Sequence, residues 1–352
     1  MKKINSKFLH DVGTNVVLRE KLIGILVEYE KEFQSDNGYN IREEITGPIV
    51  DDLFLNSNEV FISKVQDEIQ FKYTYKSKIM RDFILRHEKC PDHFWEPQTT
   101  KLLKMLSKTS KNVFVGGAYI GDHVVYIAKE LLEKNGKCHT FEPNTDSFNL
   151  LKENCKLNKL DNVVFNNKGL WYENKKLVFV GDDSHASSQE LNSDSETGFD
   201  AVSINNYCKD QNVATVDLIM LDLEGGELNV LKGASDYLSL DKNLAPIIIY
   251  EIHSSYSDWS NGLEKSEICS YLIDNGYSLY SIRDFQSNYP MKNKKIELIP
   301  VKSTIIDGPS HGFNMIALKD KSILNNENIV LCENVSPKLL LHRDKKLHSP
   351  IS

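Results

Sequence analysis

Asn112–Leu131, NVFVGGAYIGDHVVYIAKEL, runs from an apolar strand pattern through a glycine turn into a helical pattern. The strand part, NVFVG, is apolar at consecutive positions, as in a strand buried on both faces. Beyond the turn, Val124, Ile127, Ala128 and Leu131 fall on one helical face. Outward from this unit the pattern repeats. A helix at 98–107, QTTKLLKMLS, precedes it, and the strand KCHTF from Lys137 follows. The turn Glu142-Pro143-Asn144 leads into a helix that aligns Phe148, Leu151 and Cys155. Further strands are NVVFNN from Asn162, KLVFV from Lys176, VDLIML from Val216, PIIIYEI from Pro246, YSLYSI from Tyr277 and FNMIAL from Phe313. A helix, GELNVLKGASDYL, lies between the fourth and fifth of the strands from Lys137 onward. Apolar strands separated by amphipathic helices specify an α/β fold: a doubly wound, Rossmann-like, mostly parallel sheet covered on both faces.

The chain divides on composition into residues 1–92, 93–322 and 323–352. The first part is mixed α+β, with Leu18, Leu22, Ile25 and Leu26 at helical spacing and a short strand, EVFIS, from Glu59. It reads as a cap over a neighbouring site or a dimerisation element. The last part is a polar tail with one apolar clip, KLLLH. A polar loop at 181–200 carries His185.

With 352 residues, 40% of them hydrophobic and 26% charged, the chain can bury a large core without covalent staples. The net charge of −8 argues against a nucleic-acid groove spread over the surface. Six scattered cysteines form no CxxC pair or zinc-spaced cluster and read as reduced, packed thiols. No apolar run approaches a membrane span, and no secretory signal opens the chain, so a cytoplasmic protein is expected.

In a doubly wound sheet, ligands bind beyond the carboxyl ends of the strands. Four ends here carry unusual chemistry. Gly116-Gly117-Ala118-Tyr119-Ile120-Gly121-Asp122 lets a polar ligand approach the backbone and a helix start. It is neither GxGxxG nor a phosphate-binding loop ending in GK[ST], which disfavours a nicotinamide-dependent oxidoreductase. Glu142 closes the next strand, where a carboxylate can accept both hydrogen bonds of a ribose diol. Asp222-Leu223-Glu224-Gly225-Gly226-Glu227 concentrates three carboxylates behind a buried strand, although Glu227 also suits a helix N-terminus. Glu251 and His253 share one face of their strand by period-two alternation.

These residues resemble the FkbM family of S-adenosylmethionine-dependent methyltransferases. The similar stretches are VGGAYIGDHVVYIAKEL, CHTFEPNTDSFNLLKENCKLNKLDNV, VDLIMLDLEGGELNVLKGA and PIIIYEIH, in order, over roughly residues 111–255. The resemblance implies a seven-stranded sheet with one late antiparallel strand, and methylation of a hydroxyl on a sugar, glycan or related polar metabolite. It implies S-adenosylmethionine as cofactor and S-adenosylhomocysteine as product. By the same resemblance Gly116, Gly117, Ala118 and Gly121 would line the methionine part, with Gln98 and Thr100 from WEPQTT covering its amino-acid end. Glu142 would hold the ribose hydroxyls, Asn167 to Gly169 would meet the adenine edge, and Asp222 would face the transfer site. The first motif departs from the family's Asp-Val-Gly-Ala-Asn, with Val115 in place of the acid and Tyr119 in place of the asparagine.

Methylating a hydroxyl requires a base for its proton. His253 is the first candidate and Asp222 the second. Asp222, Glu224, Glu251 and His253 also form a donor set suited to Mg²⁺ or Mn²⁺, but their spacing fixes no site and a plain base is preferred over a metal. Glu224, Glu251, Tyr256 and Trp259 are candidates for the acceptor, the aromatics by stacking on a sugar ring. His185 and His311 are weaker candidates. The alternative function is a methyltransferase-fold binding module with little or no catalysis. The expected partner is a small-molecule or glycan acceptor, without nucleic acid or a membrane span, and a homodimer is open.

Overall fold

The computed structural model describes residues 6–32, 40–66, 68–88, 91–180, 187–190 and 198–352. The N-terminal segment contributes α1 (Ser6–Thr14), α2 (Val16–Glu32), α3 (Gly47–Leu53), the antiparallel hairpin β1 (Val60–Lys64) and β2 (Gln70–Thr74), and α4 (Lys78–Ile84). Then follow α5 (Pro97–Ser107), β3 (Asn112–Gly116), α6 (Val124–Leu131), β4 (Lys137–Phe141), α7 (Thr145–Leu157) and β5 (Val163–Asn166). A small sheet uses β6 (Gly169–Leu170), β7 (Lys175–Val180), β8 (Ser187–Glu190) and β9 (Phe199–Val202). The chain continues through α8 (Ile204–Gln211), β10 (Leu218–Leu221), α9 (Glu227–Lys232), α10 (Ser235–Leu238), β11 (Ile247–Ile252), α11 (Glu267–Asp274) and β12 (Ser278–Ile282). It closes with β13 (Ile296–Pro300), β14 (Phe313–Leu318), β15 (Ile329–Leu331) and α12 (Lys345–His348).

The main sheet has nine strands in the order β15-β13-β12-β14-β11-β10-β3-β4-β5. Strands β5, β4, β3, β10 and β11 are parallel, and β14 runs antiparallel between β11 and β12. The expected seven strands and late antiparallel strand are therefore present, but β13 and β15 extend the sheet past β12. Period two separates the two faces. Val113, Val115, Met220, Ile249 and Ile316 meet α5, α6 and α7, whereas Phe114, Ile219, Ile248, Tyr250 and Met315 meet α9 and α11. KLVFV does not join the large sheet as its sequence suggests. Only Leu177 of β7 is fully buried, so this strand suffices for a two-layer satellite but not for a sheet centre.

The first and last segments are both built into this core. Phe71, Tyr73, Met80 and Phe83 pack in the same cluster as α5 and α6, and Phe83 stacks on Phe94 at 3.8 Å. Two asparagines of α7 then act as a strand edge for β2. Asn154 Oδ1 accepts from Lys72 N at 2.6 Å and its Nδ2 donates to Lys72 O at 3.0 Å, while Asn158 does the same for Gln70 at 2.8 and 2.7 Å. At the other end, the segment read as a tail supplies the edge strand β15 and winds back over β12 and β13. Five cysteines are buried free thiols, and Cys90 lies outside the described residues. Among the described residues no helix is long and apolar enough to cross a membrane.

Candidate active site

Parallel register aligns the strand ends. Gly116 of β3 lies opposite both Leu221 of β10 and Phe141 of β4, and Leu221 lies opposite Tyr250 of β11. The next residues along each strand, Gly117, Glu142, Asp222 and Glu251, therefore emerge along one edge. The turn after β3 is tight. Gly117 has φ +74°, and a Cβ there would lie 1.8 Å from the Asp222 carbonyl oxygen, so only glycine fits. Gly117 N and Ala118 N both donate to Phe141 O at 3.1 Å, and Gly121 is packed on Leu151. Tyr119 takes φ +42° and its hydroxyl donates to Ser77 Oγ at 3.1 Å, so the residue replacing the family's asparagine ties the turn to the N-terminal segment.

Glu142 is buried, and its two carboxylate oxygens accept from Tyr119 N and Asn144 N, each at 2.8 Å. Burial pushes its carboxyl up to about 7 despite those bonds. Each oxygen retains a further lone-pair direction for a ligand. Asn167 donates to Glu142 O at 2.8 Å and to Pro143 O at 3.2 Å, fixing the EPN turn, and Gly169 begins β6 against the Phe199 ring.

The α5 helix closes one side. Pro97 occupies its first turn, and Asp284 beyond β12 accepts from Gln98 N at 3.0 Å and Thr99 N at 2.7 Å. Thr100 donates its hydroxyl to Trp95 O at 3.1 Å and sits 3.4 Å from His123 Nδ1. Gln98 is fully buried, yet neither its Oε1 nor its Nε2 has a hydrogen-bond partner. An orphaned buried amide costs about 1–3 kcal/mol. Gln98→Leu is therefore expected to raise the stability of the ligand-free protein by about 1 kcal/mol in urea unfolding; destabilisation would mean that the amide is already satisfied.

Opposite this wall the carboxylates gather. One oxygen each from Asp222, Glu224 and Glu251 lie within 4.8 Å of one another, close enough to share an oxygen-ligated cation. Burial first, then the neighbouring charges, hold Asp222 and Glu251 well above the usual carboxylate range. Glu227 is turned inward, accepting from Leu223 N at 2.7 Å and Gly225 N at 3.1 Å, so it shapes the turn. His123 stands within this group. Its Nε2 is 3.4 Å from Glu96, and its pKa is raised to about 9 because Glu96 and Asp122 outweigh desolvation.

His253 continues the face of Glu251, and its Nδ1 accepts from Ser255 N at 2.9 Å. The neutral ring then carries its proton on Nε2, which leaves that nitrogen a donor. Tyr256 is exposed, with its ring 5.7 Å from His253 and pressed on Gly225 beside Glu224 and Glu251. Trp259 is half-buried, its ring 6.0 Å from Phe313 and packed against the edge of the core. His311 Nδ1 lies 2.9 Å from Gly312 O, and His185 lies outside the described residues.

A sequence model described as the methyltransferase FkbM domain matches residues 116–279. That stretch is similar to the FkbM family of methyltransferases. No curated protein matches the chain. Among solved structures, the chain is similar to methyltransferase FkbM from Methylobacillus flagellatus KT at 12% identity and TM-score 0.37, over 59% of this chain and 43% of that one. The matched part is thus less than half of the Methylobacillus protein. M. jannaschii TYW2 in complex with AdoMet is similar at 17% identity and TM-score 0.36, over 73% and 84% of the two chains. Precorrin-6y C5,15-methyltransferase from Geobacter metallireducens GS-15 gives 12% and 0.34, over 63% and 88%.

The matched stretch does not contain the whole candidate site. Glu96, Gln98 and Thr100 precede residue 116, and Asp284 and Asn314 follow residue 279. Glu96, at φ +43°, accepts from Asn314 Nδ2 at 2.7 Å, and Asn314 lies opposite Glu251 in β14. Sequence reasoning singled out neither Glu96, Asn314, His123 nor Asp284. A polar residue inside the apolar run FNMIAL and an acid at the end of YSLYSIRD were the available signals.

Proposed function

We propose that the protein is an O-methyltransferase that uses S-adenosylmethionine to methylate a hydroxyl of a sugar, glycan or related polar metabolite. The observation that supports it most is the gathering of Asp222, Glu224 and Glu251 at the strand ends next to the glycine turn, with the exposed Tyr256 ring beside them. The residues suit the cofactor. A concentration of carboxylates complements a sulfonium and an ammonium, and the orphaned Gln98 amide offers both a donor and an acceptor to an amino-acid end. Glu142 would hold the ribose hydroxyls, with Asn167 to Gly169 beside the adenine edge. Gly116, Gly117, Ala118 and Gly121 would leave room for the methionine part, and Thr100 would brace the start of α5.

Bound S-adenosylmethionine supplies a methyl group already activated on sulfur, so the chain's own task is to position an acceptor oxygen and take its proton. Asp222 serves as that base. Burial and the neighbouring carboxylates raise its pKa, which makes its ionised form a stronger base than an ordinary carboxylate. His253, with its proton on Nε2, orients the acceptor by donating a hydrogen bond. Glu224 and Glu251 accept from acceptor hydroxyls, and Tyr256 stacks on the ring.

Calorimetric titration of S-adenosylmethionine and S-adenosylhomocysteine, with NADH as control, tests the cofactor. Micromolar binding is expected, weakened at least tenfold by Glu142→Ala and also by Gln98→Leu. A folded sample that binds neither ligand sinks the proposal. With binding in hand, methyl transfer to a panel of sugars should fall about 100-fold or more in Asp222→Asn, the usual scale for removing a general base. Binding without transfer to any acceptor would favour the binding-module reading, for which Val115 at the end of β3 is the specific departure.

A further inference from the structure

The α2 helix is apolar on two faces but buried on one. Arg19, Ile23 and Leu26 face the small core formed with α3, where Val50, Leu53 and Phe54 are also buried. Arg19 completes that face, its guanidinium bound to Glu59 at 2.6 and 2.9 Å. The adjacent stripe is Leu18, Leu22, Ile25 and Tyr29, at spacings of four, three and four residues. Leu18 is 48% exposed, Ile25 65% and Tyr29 38%, with Leu22 half-buried between them because one side of it packs against the small core. This is the 3.5-residue repeat of a helix-pairing seam, turned to solvent.

We propose that this stripe is the seam of a homodimer, in which α2 packs antiparallel on α2 of a second copy about a two-fold axis. Three observations select a second copy. The stripe is self-complementary when reversed, because it places Leu18 on Tyr29 of the partner subunit and Leu22 on Ile25 of the partner subunit, each layer occurring twice. The flank is complementary in charge only in that orientation. Lys21 and Glu28 edge the seam one heptad apart, so reversal brings Lys21 beside Glu28 of the partner subunit, and its symmetry mate likewise. A parallel pair would instead set Lys21 against the buried Leu26. Finally, Glu28 pairs within its own helix only with exposed Lys31 at 2.8 Å, an exposed pair that exchanges partners at little cost. A two-fold contact of this kind is isologous and closes at two subunits.

Sedimentation of the full chain at tens of micromolar tests the pairing. A dimer is expected, and Ile25→Glu should weaken it at least tenfold without unfolding, since that side chain is largely in water within the subunit. Lys21→Glu should also weaken it, and Lys21→Glu combined with Glu28→Lys should restore it. Circular dichroism of each variant separates loss of pairing from loss of fold. A wild-type monomer overturns the proposal and leaves the stripe to a different protein. A dimer that ignores Ile25→Glu overturns it as well, and failure of the reversed charge pair overturns the antiparallel seam.

Discussion

Arg283→Met is expected to destabilise the protein by about 3–5 kcal/mol, the usual cost of stranding one member of a buried ion pair. Arg283 and Glu297 are both fully buried, and their N–O distance is 2.6 Å. Each also holds the C-terminal segment. Arg283 donates to Ser336 O at 2.9 Å and Leu347 O at 2.8 Å, while Glu297 accepts from Ile351 N at 2.7 Å and Ser352 N at 2.9 Å. The variant leaves a buried carboxylate without its cation and frees two carbonyls. Urea unfolding should show the loss as a lower midpoint. Arg283→Met combined with Glu297→Leu should recover part of it, because the uncompensated charge is then gone while the orphaned backbone groups remain. A double variant no better than the single one would show that the backbone bonds, not the charge, carry the effect.

The second large effect is on pH. Burial raises Glu142, Glu227 and Asp284 each to about 7, from ordinary values of 4.5, 4.5 and 3.8. Between pH 4 and 7 the folded protein therefore holds protons that the unfolded chain has released. Stability must then fall as pH rises through that window, by on the order of 1–3 kcal/mol for each group. His123 acts in the same direction. Its folded pKa of about 9 lies above its ordinary 6.5, so its contribution is complete below pH 6.5 and is lost as pH approaches 9. Glu30 opposes them only in acid: held at about 2 by His87 and Arg42 against desolvation, it contributes above pH 4.5 and is lost below. The ligand-free protein should melt several degrees higher at pH 5 than at pH 8. A cationic ligand in the site should flatten that slope, and a melting temperature that rises from pH 5 to 8 would contradict the assignment.

The large sheet was legible because its strands are unbroken apolar runs between amphipathic helices, a pattern that has few other solutions. IELIP in β13 and IVL in β15 were missed because they sit in polar surroundings and become strands by joining an existing edge. KLVFV was assigned to the wrong sheet because its apolar run does not reveal that only Leu177 is covered. At the site, Asp222, Glu142 and Glu251 were legible as acids at strand ends. Glu96 was not, since an acid before a helix-starting proline is ordinary in sequence and becomes significant only where Asn314 and His123 meet it. Trp259, an aromatic beside the candidate site, is half-buried with its ring 6.0 Å from Phe313, a contact that the sequence does not reveal.

Asn154 does more than edge the hairpin. The same amide that donates to Lys72 O also donates to Ile120 O at 2.8 Å, inside the glycine turn. One buried side chain thus fastens the glycine turn to a stretch of chain that lies outside the matched residues 116–279. A fragment cut to residues 93–322 would lose the hairpin and expose Phe94 and Tyr126, the neighbours of Phe71. The fold-bearing unit of this protein thus reaches beyond residues 116–279 on the N-terminal side.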